Sequence, residues 1–340
     1  MRRLAGAAVV VALAVGWAAW SPFKGFDQPV LIDIPRGAPT RTIALMLEDR
    51  GVVRHRWLFL AARAARPRTV LKAGEYRFER PAGAVEILGR LARGDIHYYS
   101  LSIPEGSNMF DIAHIAEQAG LFPSSSFLAA ASDPGQVRDL SPNARNLEGF
   151  LFPSTYRVTR HTTPDQLCRL MTDQFRAVWS QLPRGDSKAG ETVILASLVE
   201  KETGVEHERP RVASVFHNRL SRLMPLQCDP TTIYAAVLEG RWRGKIHRSD
   251  LDSANPYNTY RHTGLPPGPI ANPGRASLEA VLRPEKSPYL FFVAKPGVRE
   301  HQFSATLAEH QKAVQEYRHA IQAGQQEKPT GAAAGRTKSG

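Results

Sequence analysis

Apolar residues recur at helical spacing through most of the chain and alternate only in short stretches. The three-to-four-residue period predicts helices over residues 40–47, 57–65, 85–91, 109–118, 125–131 and 163–182. It predicts further helices through 193–202, 210–220, 231–238, 276–282 and 307–323. Alternation after a turn predicts a strand over 73–78, with a second at 97–103 closed by Pro104-Glu105-Gly106. An apolar run over 289–294 predicts a buried strand. The punctuation agrees with these bounds. Arg93-Gly94 ends one helix, Pro210 opens another, and Asp229-Pro230 offers an N-cap followed by a first helical residue. The fold class expected is therefore α+β, with a small mixed unit over about 30–100 and a helix-rich remainder.

Residues 193–204 break the pattern in an informative way. At 100° per residue, Leu195, Leu198, Val199 and Glu202 fall on one stripe, whereas Glu200 projects from roughly the opposite side and Lys201 lies off it. Thr203-Gly204 reads as the helix end, with Gly204 as a left-handed cap. Glu202 thus faces an apolar interior in the last turn, where the helix dipole disfavours an anion. Both effects raise a carboxyl pKa and keep the group protonated near neutral pH, as an acid for glycosidic cleavage requires. The bland alternative is a structural carboxylate neutralised by Arg209, Arg211 or Arg219.

Residues 252–275 hold five prolines and little periodicity, and a loop of that length in a compact domain is usually functional. Within and beside it, Tyr257 and Tyr260 offer flat apolar faces with polar tips, and Asn258 and Asn272 offer amides. This mixture suits sugars, which present apolar faces and hydroxyl rims. Gln227 and Asp229 are similar candidates, although capping is the plainer duty for Asp229. Hydrolytic glycosidases need a second carboxylate flanking the bond. None stands out: Glu200 is on the other face, and Glu206 and Glu208 follow the helix end without periodic relation to Glu202.

The 340 residues allow more than one domain, and a formal charge of +12 suggests anionic surroundings such as lipid or an acidic polymer. No basic–aromatic cluster reads as a nucleic-acid module. The 11 histidines are scattered without a metal-ligand spacing, so neither metal nor cofactor is expected. Arg2 and Arg3 precede an uncharged run over 4–20 that contains Trp17 and Trp20. Charge, length and aromatics together predict an uncleaved membrane anchor with a cytoplasmic N-terminus and an exported remainder. Cys168 and Cys228, 60 residues apart, leave a disulfide open. From residue 325 the chain is polar, rich in Gly and Ala, and expected to be disordered.

Several of these segments together resemble the YceG-like endolytic murein transglycosylases of bacteria. The likeness rests on Glu148-Gly149-Phe150-Leu151-Phe152-Pro153, on Ala196-Ser197-Leu198-Val199-Glu200-Lys201-Glu202-Thr203, and on Val212-Ala213-Ser214-Val215-Phe216 with Asn218-Arg219-Leu220. It continues through Leu226-Gln227, Asp229-Pro230-Thr231, Tyr257-Asn258-Thr259-Tyr260, Gly264-Leu265-Pro266-Pro267-Gly268 and Asn272-Pro273-Gly274. The resemblance implies four regions. Residues 1–28 would be cytoplasmic N-terminus, inner-membrane anchor and linker, and 29–103 a LysM-like α+β subdomain. Residues 104–324 would be a catalytic domain of local lysozyme-like transglycosylase character, and 325–340 a tail.

It also implies that Glu202 is the single catalytic carboxyl of a periplasmic lyase. That enzyme would cut the bond between N-acetylmuramic acid and N-acetylglucosamine inside nascent peptidoglycan strands, leave a 1,6-anhydro end, and set glycan length beside the synthases. Two positions depart from the family pattern, Ser154 where Asp is frequent and Cys228 where a small hydroxyl residue is common; neither is expected to touch Glu202. The competing readings are a muramidase hydrolysing the same bond and a wall-binding scaffold without turnover.

Overall fold

A computed structural model describes residue 10 and residues 13–326. The expected anchor over 4–20 lies outside the described residues except for Val10 and the helical residues 13–20, and the expected tail lies outside them beyond 326. Among the described residues no helix is long and apolar enough to cross a membrane.

The chain divides into two compact units. The first runs to Leu101 and includes residues 157–162. In it β1 (Val30–Ile34) pairs antiparallel with β2 (Gly74–Phe78), placing Val30 opposite Phe78 and Ile34 opposite Gly74. Helices α1 (Thr40–Asp49), α2 (Arg56–Ala64) and α3 (Ala84–Arg93) supply the rest of its core. Ile32, Ile34, Leu47, Phe59, Tyr76, Phe78 and Leu88 bury their side chains together there. Periodicity gave no reading of β1, because Val30-Leu31-Ile32 is a continuous apolar run without alternation. Gly94 closes α3 with φ +76°, where only a residue without a Cβ is at ease.

The chain leaves this unit within β3 (Tyr99–Ser102) and returns to it at the end of β4 (Thr155–Val158). The second unit contains α4 (Met109–Gln118), α5 (Ser124–Ala131), α6 (Pro164–Gln181), α7 (Ala189–Glu202), α8 (Arg209–Ser221) and α9 (Asp229–Leu238). It continues with the short α10 (Arg248–Leu251), α11 (Arg275–Leu282), the hairpin of β5 (Phe291–Ala294) and β6 (His301–Ser304), and α12 (Leu307–Gln326). Capping boxes fix the starts of α4, through Asn108 and Asp111, and of α6, through Thr163 and Gln166. The β5 segment is shorter than the run over 289–294 and only half-buried, since its hydrogen-bonding partner β6 is the whole of its sheet.

At the centre lies α7, in contact with α8, α9 and α11. Thr192, Val193 and every residue from Leu195 to Val199 are buried, so the helix is covered on all sides rather than along one stripe. Its end also differs from the expected left-handed glycine. Thr203 caps it in extended conformation (φ −138°), and Gly204 does not adopt positive φ. The Thr203 hydroxyl accepts the Val205 N–H at 3.0 Å, which turns the chain toward α8 without a left-handed residue.

Gly149 shows how closely the Pro-rich loop packs on this helix. It sits at φ +85°, and a Cβ there would strike both Pro269 and Val193. Gly149→Ala is expected to cost about 2–4 kcal/mol, from backbone strain and overpacking together, read as an earlier midpoint in equilibrium denaturation.

Candidate active site

The two carboxylates at the end of α7 have different surroundings. Glu200, expected on the side opposite the apolar stripe, is itself covered there; its side chain is only 6% exposed. Arg209 approaches it at 3.4 Å and the Gly274 N–H donates to it at 2.9 Å. The same guanidinium lies 4.0 Å from Glu105, whose carboxyl is raised by burial and by the charge of Glu200. Glu200 is therefore a paired structural anion that ties α7 to the start of α11.

Glu202 has no such partner: among the described residues no nitrogen or hydroxyl donor bonds its carboxyl. The residue keeps a strip of surface, yet burial pushes its pKa up to about 7. The negative charge of Asp229 adds to the rise, while the Cys228 thiol and the positive charges of His301 and Arg219 oppose it. Cys228 thus sits against Glu202, contrary to expectation. Its thiol donates toward the carboxyl and is itself pushed well above its ordinary value, first by burial and then by the Glu202 charge. Both cysteines are free and buried.

The residues around this carboxyl are held by backbone. Arg219 donates through Nε to the Leu290 carbonyl at 2.7 Å, and through Nη1 to the carbonyls of Pro225 (3.0 Å) and Leu226 (2.9 Å) and to Gln227 Oε1 (3.2 Å). Of the three arginines weighed from sequence, Arg219 faces Glu202, whereas Arg209 serves Glu200 and Arg211 pairs with Glu285 at 3.0 Å. Gln227 is exposed and lies at φ +51°, a strained conformation for a residue with a Cβ. Asp229 is not the N-cap; Cys228 is, without a side-chain capping bond, and Asp229 instead accepts the Tyr260 hydroxyl at 2.6 Å. Folding thus places beside Glu202 a second carboxylate, Asp229, that no periodicity links to it.

On another side stands a pair with no sequence signature. The Glu208 carboxylate is 2% exposed and accepts both the backbone N–H of His301 at 2.8 Å and its ring Nδ1 at 2.8 Å. Burial pushes Glu208 upward, but the two His301 donors outweigh it and hold the group below the usual range. The Thr203 hydroxyl, next to Glu202, donates to the same carboxylate at 3.4 Å. Ninety-three residues separate Glu208 and His301, so only the tertiary fold brings them together.

The remaining sequence candidates lie elsewhere. Asn258 is fully buried and donates to the carbonyls of Leu251 (2.9 Å) and Ser253 (2.7 Å), holding its own loop. Asn272, equally buried, accepts the Leu151 N–H at 2.9 Å and donates to the Ser107 carbonyl (2.9 Å) and Glu148 Oε1 (2.8 Å). Neither amide reaches the surface. Glu148 also accepts the Met109 N–H at 2.9 Å and the Tyr234 hydroxyl at 3.0 Å; burial still pushes it up to about 7. Tyr257 packs its ring 5.1 Å from that of Tyr234 and lines a cavity of about 580 Å³ with Ile194, Glu148, Arg145 and Pro269. From Ile194 to Glu202 is about 12 Å along the α7 axis, so the cavity serves the opposite end of that helix. Glu202, Gln227, Asp229 and Tyr260 thus form one cluster, which Tyr257, Asn258 and Asn272 do not join.

A buried acid at a helix end, ringed by a turn, a Pro-rich loop and a hairpin, is found in a chain whose residues 32–316 match the model of the YceG-like family. The chain belongs to that family. It is 32% identical over 314 residues to the endolytic murein transglycosylase of Bacillus subtilis strain 168, covering 86% of each. It is 29% identical over 324 residues to the endolytic murein transglycosylase of Streptococcus pneumoniae serotype 2, covering 85% of this chain and 58% of that longer protein. The crystal structure of a YceG-like protein from Listeria monocytogenes superposes with a TM-score of 0.55 at 31% identity, covering 84% of this chain and 99% of that one.

Asn272→Ala separates holding the loop from binding a ligand. Three buried groups would lose partners, so denaturation should show a loss of about 2–4 kcal/mol. A role in ligand binding would instead weaken glycan affinity at unchanged stability.

Proposed function

We propose that this chain is a peptidoglycan endolytic transglycosylase in which Glu202 serves first as acid and then as base. One observation carries the reading: a half-buried carboxyl, raised to about 7, that no nitrogen or hydroxyl donor holds among the described residues. A group of that kind is protonated in a useful fraction of molecules at neutral pH and free to exchange its proton. Glu202 would protonate the oxygen that links N-acetylmuramic acid to the next N-acetylglucosamine, and the muramoyl C1–O bond would break. The C6 hydroxyl of the same muramoyl unit would close on C1 and return its proton to Glu202. A 1,6-anhydro end results, no water is consumed, and the carboxyl regains its starting form. Attack from within the substrate has the advantage of high effective concentration.

In this scheme the exposed Gln227 and the Tyr260–Asp229 pair meet the sugars at the reacting bond, while Tyr257 meets the strand farther along, at the cavity. Asn258 and Asn272 support it by fixing both ends of the loop. The first unit is the LysM-like wall-binding part, and residues 4–20 anchor the chain in the inner membrane with both units in the periplasm. Cutting inside new strands beside the synthases would then limit their length.

Asp229 beside Glu202 favours one alternative, hydrolysis by a carboxylate pair. Product mass separates the two, because an anhydro end is lighter by one water. Purified protein acting on uncrosslinked glycan strands should release anhydro-ended fragments, with the rate falling as pH rises through about 7 and Glu202 loses its proton. Glu202→Gln should lower that rate by about 10²–10⁴-fold at unchanged stability. Equal release by both proteins would overturn the assignment.

A further inference from the structure

The Glu208–His301 pair is the most completely built arrangement near Glu202, and the mechanism above does not use it. Two elements remote in sequence converge to make it: the turn before α8 supplies Glu208, and the first residue of β6 supplies His301. Its geometry is over-determined. The backbone N–H of His301 bonds one oxygen of Glu208 at 2.8 Å and ring Nδ1 bonds the other at 2.8 Å, so neither the strand nor the ring turns freely. Phe292 stands edge-on to the imidazole at 5.4 Å, with Phe303 at 6.4 Å. A bond from Nδ1–H to a buried carboxylate fixes the tautomer and leaves Nε2 as the ring's other polar atom.

A fold gains little stability from burying a carboxylate under a histidine when an apolar pair fills the space as well. The arrangement does make a directed imidazole, and its positive charge acts on Glu202 as well as on Glu208. The Thr203 hydroxyl, one residue beyond Glu202, joins the same carboxylate and ties the end of α7 to the pair. The other groups facing Glu202 are Cys228 and Asp229 at the start of α9, Arg219 on α8 and Tyr260 in the Pro-rich loop. Arg219 is committed to three carbonyls and the Gln227 side chain, and the thiol is a weak donor.

We propose that His301 is a positioning residue for the reaction: Glu208 orients its imidazole so that the positive form stabilises the Glu202 carboxylate left when the acid gives up its proton. The proposal rests on Glu202 being the acid. It requires no further chemistry, since His301 neither gives nor takes the transferred proton and acts through charge alone. The pair is then a carboxylate–imidazole–carboxylate chain, in which the first member holds the second and the second sets the readiness of the third.

The test is a titration of the Glu202 carboxyl in the full chain, by carboxyl-carbon NMR with Glu202→Gln to assign the signal, alongside the pH–rate profile on glycan strands. His301→Asn places an amide where Nδ1 stood, keeping the bond to Glu208 and removing the ring's charge. Its Glu202 midpoint should move up by about half a unit or more, and the alkaline limb of the rate profile should move with it. Glu208→Gln should move both in the same direction, since the positive imidazole loses its carboxylate partner. Either variant is free to lose thermal stability, but a purely structural pair would leave the midpoint in place. Unchanged midpoints in both variants overturn the proposal. The Glu202 titration needs no turnover, so it tests the pair even if no glycan is cut. If Glu202→Gln retains full activity, it is the assignment of the acid that fails.

Discussion

Covering α7 on every side between Thr192 and Val199 obliges the second unit to find a partner for each polar group buried on it. A surface helix turns its charges to water; α7 does so with Glu191 and Lys201, but its last turn also carries Glu200 and Glu202 toward the interior. Arg209 and the Gly274 amide neutralise Glu200 and thereby join α7, α8 and α11. Glu202 receives no comparable hold. A single buried helix thus ends in one satisfied carboxylate and one left poised, and the turn at Gln227, the Pro-rich loop and the β5–β6 hairpin all close around the second.

The contrast with Glu148 sharpens what being poised means. Both carboxyls are raised to about 7, chiefly by burial. Glu148, however, is locked by the Met109 amide, the Tyr234 hydroxyl and the Asn272 amide, and is fully enclosed. Proton affinity alone therefore does not mark a reactive group. What separates the two is whether the carboxyl has a free edge, and that depends on how many donors the fold has aimed at it.

Much of this was legible in the sequence. The helices over 109–118 and 163–182 were readable from their apolar period, and the structure adds the capping boxes at Asn108 and Thr163 that fix their starts. Glu202 was readable as a carboxyl facing apolar neighbours, although the stripe argument that rejected Glu200 assumed a one-sided helix. Other features were not readable. Asn258 and Asn272 looked like ligands for a sugar because composition cannot say which way an amide points; both turn inward to backbone carbonyls. The Glu208–His301 pair had no periodic or local signature, since 93 residues separate its members and only the hairpin brings them together. Cys228 read as a substitution away from the site because its contact with Glu202 depends on how the chain turns at the left-handed Gln227.

The enclosure of Glu148 also makes folding itself a proton-binding event. In the unfolded chain this carboxyl releases its proton near the ordinary value of 4.5, whereas in the folded chain it does so near 7. A group whose folded pKa is raised contributes its full stabilisation below the unfolded value and loses it as pH rises through the folded one. Between about 4.5 and 7 the native state therefore gives up stability with every step toward alkalinity, up to the pH at which Glu202 loses its proton. The acidity of the chain's surroundings thereby governs the firmness of the scaffold at Asn272 together with the protonation of the group at the far end of α7.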